Sequence, residues 1–388
     1  MWSMLLLACA PPQPDTGERI TGPLVVQLRW VGGSTLLDWT QAQAGLWWSL
    51  SSLGALPTDP DALTPLTQHA DTVTFSLDLG AVGFPESSLP AVSEAIAGLQ
   101  TDLSVDRHGG VDLGRFLMRT LHEPWRYYAI TGACAEESDW AAAHLDPSAP
   151  RYAVTDSLLV DDARIIELND RVEAVAGIGF RAAELSGPPD GDHTVEEHEV
   201  IDVMPNGRQR YAVYDLDGQL QPASDPAISP AGQPGRCLWC HEGSLMIGQP
   251  NPPVDGYWTY EAFSEALAEQ NTLLAEHRSK LGSLVGFEER DAHTWGELLV
   301  EEFLAPTPAR VALEWGLPES AVRALEMSAH ENEEYPELGE VYVRAEVDAT
   351  LEAREGWRPV ATLDSGRALD PHTAVLAPAT LRDCAEVR

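Results

Sequence analysis

The sequence predicts an α+β fold, in which a β-rich N-terminal and middle part is followed by a mostly helical region. Apolar and polar residues alternate along 26–30 and again along 73–79, as they do in half-buried strands. Asn206-Gly207 separates two β-rich runs, which is typical of a hairpin. Beyond residue 255 the apolar residues recur every three or four positions, as they do on one face of a helix.

The N-terminal part, from Pro23 to about Val82, is interpreted as strands because of this alternation. A helix is predicted at about 90–100, where Pro90 suits a first helical turn. Another helix is expected to begin after Asp112, where apolar residues form a stripe. Strands are then predicted on both sides of the Asn-Gly turn.

The second half of the chain is predicted to be mostly helical. Thr259 is expected to open a helix, and Thr294 begins a Thr-x-x-Glu capping-box pattern ahead of another. Pro308 is expected to start a further helix that stops near Gly316. A last strand is predicted at 341–345, and it leads into an irregular tail.

The charge of the chain is strongly negative. Sixty-one acidic residues stand against 24 basic ones, so the formal net charge is −37, and Lys280 is the lone lysine. Such a surface repels nucleic acid and attracts basic partners at low salt. No apolar run reaches 18 residues, so no transmembrane helix is predicted.

The N-terminus is interpreted as an export signal. A short apolar stretch ends in Leu-Leu-Ala-Cys at 6–9, and this tetrad resembles the lipobox of bacterial lipoproteins. The resemblance implies that Cys9 becomes the lipid-modified N-terminus and that 10–15 is a Pro-rich tether. Because Ala10 rather than aspartate follows the cysteine, the resemblance favours the outer membrane, on its periplasmic side or at the cell surface. The chain would then be attached to the membrane through the lipid on Cys9.

One motif carries chemistry: Cys237-Leu238-Trp239-Cys240-His241. Two thiols one helical turn apart can add to the two vinyl groups of one porphyrin, and the adjacent histidine then reaches the iron from the same side. The motif resembles the haem attachment site of c-type cytochromes. That resemblance implies one covalent haem c, thioether links at Cys237 and Cys240, and His241 as the proximal iron ligand.

Two other chemistries remain open for the same residues. A redox-active dithiol also uses Cys-x-x-Cys, at the start of a helix that follows a strand. A zinc site would use Cys237, Cys240 and His241 with a fourth ligand from elsewhere. In either case the chain would be a haem-free protein of the bacterial envelope.

The sequence identifies the distal iron ligand less clearly than the proximal one. We favour His293, which immediately precedes a predicted helix, as the distal ligand. A five-coordinate iron that is open to a small ligand fits the sequence equally well. The other candidates are histidines and methionines near the motif or in the β-rich and helical parts: Met246, His277, Met327, His330, His198 and Met204.

The two remaining cysteines, Cys134 and Cys384, are predicted to form a disulfide, because an exported protein folds in an oxidising compartment. The alternative is two buried free thiols.

These patterns divide the chain into four parts and lead to one main functional hypothesis. The parts are a signal and tether at 1–22, an α+β scaffold at 23–225, a mostly helical haem region at 226–335 and a strand and tail at 336–388. We expect electron transfer to a basic redox partner. The alternative is a haem enzyme or a gas or peroxide sensor with an open iron site, so whether the chain is an enzyme stays open.

Overall fold

The computed structural model confirms the α+β class, with strands concentrated in the N-terminal and middle parts and helices dominating later. It describes residues 24–32, 36–100, 109–146, 148, 150–155, 163–169, 172–225, 232–241, 245, 250–287, 290–333, 335–355 and 381. The strands are β1 (Val25–Val31), β2 (Leu63–His69), β3 (Thr72–Asp78), β4 (Val111–Asp112), β5 (Arg151–Val154), β6 (Ala163–Leu168), β7 (Gly179–Ser186), β8 (Thr194–Val203), β9 (Gln209–Tyr214), β10 (Leu220–Gln221), β11 (His330–Glu331) and β12 (Glu340–Val341).

The described helices range from one turn to five turns. They are α1 (Trp39–Ser52), α2 (Leu89–Gln100), α3 (Leu113–Leu117), α4 (Pro124–Thr131), α5 (Glu137–His144), α6 (Pro234–Cys240), α7 (Tyr260–Arg278), α8 (Arg290–Leu304), α9 (Pro308–Trp315), α10 (Glu319–Arg323) and α11 (Arg344–Glu355). A π-helical turn, Met118–His122, joins α3 to α4.

The first sheet has the strand order β2-β3-β1-β4. Strands β1 and β3 are antiparallel, and the register places Leu28 opposite Phe75. Val26, Leu28 and Trp30 are buried, as their alternation predicts. These side chains belong to the main core, which α1 and α8 also build.

The interpretation of 23–82 as strands is wrong between β1 and β2, where the chain forms α1. Asp38 caps this helix, and a capping box pairs it with Gln41. The sequence pattern hides the helix because most of α1 is buried, so its apolar residues do not form a single stripe. Gly45 lets α8 approach, because a Cβ there would lie 2.7 Å from the backbone nitrogen of Gly296.

The second sheet is an antiparallel meander in the order β10-β9-β8-β7-β6-β5. The predicted Asn-Gly hairpin joins β8 to β9, and Gly207 takes the left-handed φ of +79° that this turn requires. On one face of the sheet the α5 residue Trp140 donates its indole N–H to Asp202 at 2.9 Å. On the other face, Phe263 and Leu267 of α7 pack against the strands. The sheet is therefore covered on both sides.

The helices expected at 226–335 pack against two different sheets. Helix α7 covers the second sheet, whereas α8 joins the main core beside α1. The capping-box prediction at Thr294 is wrong, because α8 already begins at Arg290. Thr294 lies one turn inside the helix, and its hydroxyl donates to the Arg290 carbonyl at 3.3 Å.

The C-terminal elements agree with the sequence in part. Helix α9 ends at Gly316 with a left-handed φ of +64°, as predicted. The strand predicted at 341–345 is shorter, because β12 stops at Val341 and α11 begins at Arg344. The Arg344 side chain is buried, and its guanidinium lies over the Phe303 ring at 4.2 Å. Val341 and Tyr342 are adjacent and both buried, so the segment does not alternate between a buried and an exposed face as a half-buried strand would.

Of the three cysteines outside the Cys-x-x-Cys-His motif, Cys134 lies within the described residues. Cys134 is buried and disulfide-bonded. Cys384, its predicted partner, lies outside the described residues, but Leu381, three positions earlier, packs against the main core that contains Cys134. Cys9 also lies outside them. None of the described helices is long and apolar enough to cross a bilayer.

Candidate functional site

Helix α6 carries the cysteine motif and is held tightly against the N-terminal half. Pro234 occupies its first turn, where a missing N–H costs nothing. A Cβ on Gly235 would lie 2.1 Å from the Leu121 carbonyl oxygen, so only glycine permits this approach to the π-helical turn. Leu238 is buried in the main core. The position of the motif is therefore fixed by packing on both sides of Cys237.

A large cleft lies between α6, α7 and the second sheet. Its empty space, including the solvent at its mouth, is about 790 Å³. Cys237 and His241 line it from α6, and Phe263 and Leu267 line it from α7. The floor consists mainly of alternate side chains from four adjacent strands: Ile166, Phe180, Ala182, Glu199, Ile201, Gln209, Tyr211 and Val213.

His241 offers an imidazole to this lining. Burial and, to a smaller extent, the positive charge of Arg164 together lower the pKa of this imidazole to about 4. The ring is therefore neutral at pH 7, which is the form that coordinates a metal. The His241 backbone N–H donates to the Cys237 carbonyl at 2.9 Å, which ties the histidine to the end of the helix.

Tyr211 supports His241 from the floor of the cleft. The two rings lie 5.7 Å apart between centroids. The Tyr211 hydroxyl lies 3.2 Å from the His241 carbonyl oxygen and 2.5 Å from Oε1 of Gln209. Burial raises the pKa of Tyr211 well above its ordinary value, and the nearby Tyr127 and Cys237 raise it further. The phenol therefore stays protonated and can donate.

Two tyrosines of α4 hold strand β9 in place from outside the cleft. The Tyr127 hydroxyl accepts a hydrogen bond from the Tyr211 backbone N–H at 3.2 Å. The Tyr128 hydroxyl accepts from the Val213 N–H at 3.3 Å and donates to the Gln221 carbonyl at 2.7 Å. These bonds satisfy backbone donors at the end of the sheet and fix the strand that carries Tyr211.

One end of the cleft is charged. Arg164 on β6 pairs in register with Glu184 on β7, and Glu184 pairs with Glu197 on β8. The Arg164 guanidinium lies 3.3 Å from the Glu184 carboxylate, which is completely buried. Glu197 lies two residues before Glu199, which lines the cleft, so both project from the same face of β8.

Replacing Glu197 with glutamine is expected to change how stability depends on pH. Burial raises the pKa of Glu197 from 4.5 to about 7. The folded state therefore keeps a proton that the unfolded state loses above about pH 4.5, and stability falls as the pH rises from 4.5 to 7. Glu197→Gln should remove this part of the fall and raise the free energy of unfolding at pH 8. Urea titrations between pH 4 and 8 would measure it.

The matched control for this experiment is the exposed neighbour Glu196. Glu196→Gln should leave the pH profile of the wild-type protein unchanged. Equal profiles for Glu197→Gln and Glu196→Gln would contradict the prediction.

The structure brings two of the three predicted haem-binding residues to the cleft, Cys237 and His241. The backbone of Cys240 ends helix α6, and its side chain lies outside the described part. His293, the favoured distal ligand, does not line the cleft. It lies on α8, buried in the main core region, with its ring 4.6 Å from that of Trp48.

The other distal candidates that the structure describes also do not line the cleft. His198 lies 2.9 Å from the Glu137 carboxylate, and His277 contacts the Pro205 carbonyl at 2.9 Å. Met246 lies outside the described residues. Three further candidates, Met204, Met327 and His330, are described and do not line the cleft.

Sequence reasoning missed most of the cleft, including Tyr211 and Arg164. The sequence of β9 could have indicated these residues. Side chains alternate between the two faces of a strand, so Gln209, Tyr211 and Val213 lie on the same face. Nothing in the local pattern of β6 marks Arg164, since its role depends on the strand order of the sheet.

Comparison with known proteins assigns the chain to no family. Family models, curated proteins and solved structures gave no match to the chain. Among the described residues, no group of three or more histidine, cysteine, aspartate and glutamate side chains is arranged to hold a metal ion.

Proposed function

We propose that this chain binds one haem covalently in the cleft and transfers electrons in the bacterial envelope. Cys237 and Cys240 would form the thioether links, and His241 would be an axial ligand of the iron. The observation that carries the proposal is that Cys237 and His241, the first and last residues of a Cys-x-x-Cys-His motif, both line one large and mainly apolar cleft.

The chemistry of the lining fits such a group. Cofactor pockets typically combine apolar walls with a few polar side chains. Ile166, Phe180 and Val213 would exclude water from a porphyrin, while the neutral His241 imidazole would offer a lone pair to iron. When bound, haem supplies a one-electron redox centre whose potential depends on the ligands and on burial.

The neighbouring residues would orient the ligand and balance charge. Tyr211 packs against the His241 ring, which limits rotation of the imidazole. Arg164 brings positive charge to the same lining and is suited to a carboxylate, because its guanidinium presents several N–H donors.

The sequence supports the proposed location in the bacterial envelope. The lipobox-like tetrad that ends in Cys9 supports export and a lipid anchor, and haem attachment of this kind follows export. The net charge of −37 supports docking to a basic redox partner. The disulfide at Cys134 is consistent with an oxidising compartment.

The proposal is tested by the absorption spectrum of the full chain, exported to the periplasm together with haem-maturation genes. We expect a haem spectrum that stays with the polypeptide after denaturation and acid–organic extraction. Cys237→Ala combined with Cys240→Ala should abolish it. His241→Ala should alter it, whereas His277→Ala, which changes a half-buried histidine outside the cleft, should leave it unchanged.

Other results would reject all or part of the proposal. A colourless protein would reject haem binding, and stoichiometric zinc in that protein would assign Cys237, Cys240 and His241 to a metal site instead. A haem protein that binds carbon monoxide rapidly would keep the cofactor but replace electron transfer by the chemistry of an open iron site. A haem that does not bind carbon monoxide would support electron transfer.

A further inference from the structure

Two glutamates face each other on neighbouring strands at the charged end of the cleft. Glu184 on β7 pairs in register with Glu197 on β8. Both lie on the sheet face that lines the cleft, because each is two residues from a lining residue, Ala182 on β7 and Glu199 on β8. Glu184 is completely buried, and Glu197 is 7% exposed. Like charges directly opposite each other on a sheet are unfavourable, and burial strengthens their repulsion.

Arg164 compensates the charge of one of these two carboxyl groups. Its guanidinium lies 3.3 Å from Oε2 of Glu184. Glu197 forms no ion pair within the part of the chain that the structure describes. The backbone N–H of Asp225 donates to its Oε2 at 3.0 Å, and its Oε1 is buried and accepts no hydrogen bond. Glu197 therefore lacks a fixed positive partner, and a proton can neutralise it instead.

The surroundings of Glu197 favour its protonated form near neutral pH. Burial raises its pKa to about 7, and the negative charges of Glu199 on the same strand and of Asp225 after β10 act in the same direction. The hydrogen bond from the Asp225 N–H opposes them. From the neighbouring strands, Glu197 faces Glu184 and, one strand further on, Arg164. Glu197 therefore exchanges its proton close to pH 7.

The charged end of the cleft and the proposed iron ligand interact electrostatically. The positive charge of Arg164 contributes to the lowered pKa of the His241 imidazole. Such coupling is reciprocal, so a change of charge at the iron would also act on Arg164 and on the carboxyl groups beside it. Reduction adds one electron at the iron, and the mainly apolar lining of the cleft screens that change poorly.

We propose that Glu197 takes up a proton when the haem is reduced and releases it when the haem is oxidised. This inference rests on the proposed haem function. The reducing partner supplies one electron, which converts ferric to ferrous iron, and the solvent supplies one proton, which converts the Glu197 carboxylate to the carboxylic acid. The cleft then gains no net charge on reduction. Electron transfer is thereby coupled to pH near neutrality.

The test is the midpoint potential of the full haem-loaded chain, measured between about pH 5 and 9. We expect reduction to strengthen proton binding at Glu197 about tenfold. The potential of the wild type should then fall by ~59 mV in all as the pH rises through about 7, and it should level off on either side. It falls because the reduced state binds the proton more tightly and is disfavoured when protons are scarce. Glu197→Gln has no proton to exchange, so its potential should stay constant through this range.

Two further variants and one spectroscopic measurement identify the group. Glu196→Gln, which changes the exposed neighbour, should keep the wild-type fall. Glu199→Gln removes a negative charge that favours protonated Glu197, so the fall should move to lower pH. This variant also keeps the test valid if Glu197→Gln does not take up haem. Infrared difference spectra of the reduced and oxidised wild type should show the carbonyl band of a protonated carboxyl group, which Glu197→Gln should lack.

Three outcomes would overturn the coupling while the haem function stands. The first is a haem protein whose potential does not depend on pH near 7. The second is a fall that persists unchanged in Glu197→Gln, which would assign the proton to another group. The third is a fall that Glu199→Gln leaves in place at the same pH. A colourless protein would instead reject the haem function itself, and this inference with it.

Discussion

Gly235→Ala is expected to lower both the stability of the protein and its haem content. Alanine normally favours a helix over glycine by about 1 kcal/mol, so local propensity alone predicts a small gain. The added Cβ, however, would lie 2.1 Å from the Leu121 carbonyl oxygen, which is a backbone atom that cannot rotate away. Overpacking of this kind costs about 1–3 kcal/mol or displaces the helix. Displacement of α6 would move Cys237 and His241 away from the sheet.

The measurements are the urea midpoint of the protein and the ratio of haem to protein after periplasmic expression. Gly282→Ala is the matched control, because a Cβ there meets no atom within 4 Å and its backbone is not left-handed. It should change stability by less than ~0.5 kcal/mol. A Gly235→Ala protein as stable as the control would show that α6 is not held against the π-helical turn.

Glu314→Gln is expected to destabilise the protein by about 3–5 kcal/mol, because it removes the carboxylate nearest to the buried Arg344 guanidinium. Both Glu314 oxygens lie 2.8 Å from the Arg344 guanidinium, and Oε1 also lies 2.9 Å from Nε of Arg310. Burial raises the pKa of Glu314, but Arg344 and Arg310 lower it more, to about 2. The carboxylate is therefore charged in the folded protein down to low pH.

The pH dependence of this effect has a definite sign. Because the folded pKa lies below the ordinary 4.5, the ion pairs stabilise the folded state above pH 4.5, and this stabilisation is lost as the pH falls towards 2. The loss of unfolding free energy caused by Glu314→Gln should therefore be largest at neutral pH and smaller in acid. Denaturant titrations at pH 7 and pH 3 would measure both values.

Glu319→Gln is the control for this prediction. Glu319 pairs with Arg323 on α10, where both side chains are nearly half exposed, and such pairs contribute only about 0–1 kcal/mol. Equal losses for Glu314→Gln and Glu319→Gln would mean that the buried network adds nothing to stability beyond an exposed pair.

The elements that the sequence predicted correctly are those specified by local chemistry. Gly207 and Gly316 adopt the left-handed conformation that their turns demand, and Thr259 caps α7 through its side chain. Helix α1 was missed because burial on all sides removes the amphipathic pattern, and Thr294 was misread because the same residue type also occurs inside helices.

The candidate site was predictable only where its residues are close in sequence. The spacing of Cys237 and His241 singles them out directly, since the proposed haem attachment would require that spacing. The floor and the charged end depend on which strands are neighbours, and Arg164 and Glu184 become partners only through the register of the sheet. His293 shows the limit of such reasoning, because its position before a predicted helix gave no information about the Trp48 ring beside it.

The close contact of Gly45 with Gly296 joins segments about 250 residues apart, and this bears on when the chain can fold. During synthesis the N-terminal sheet and α1 emerge long before α8, so the core they share stays incomplete until most of the chain has been made. Such non-local contacts slow folding and expose apolar surface in the meantime. In the proposed haem protein, the same delay would leave Cys237 and Cys240 accessible to an attachment enzyme until the C-terminal helices have formed.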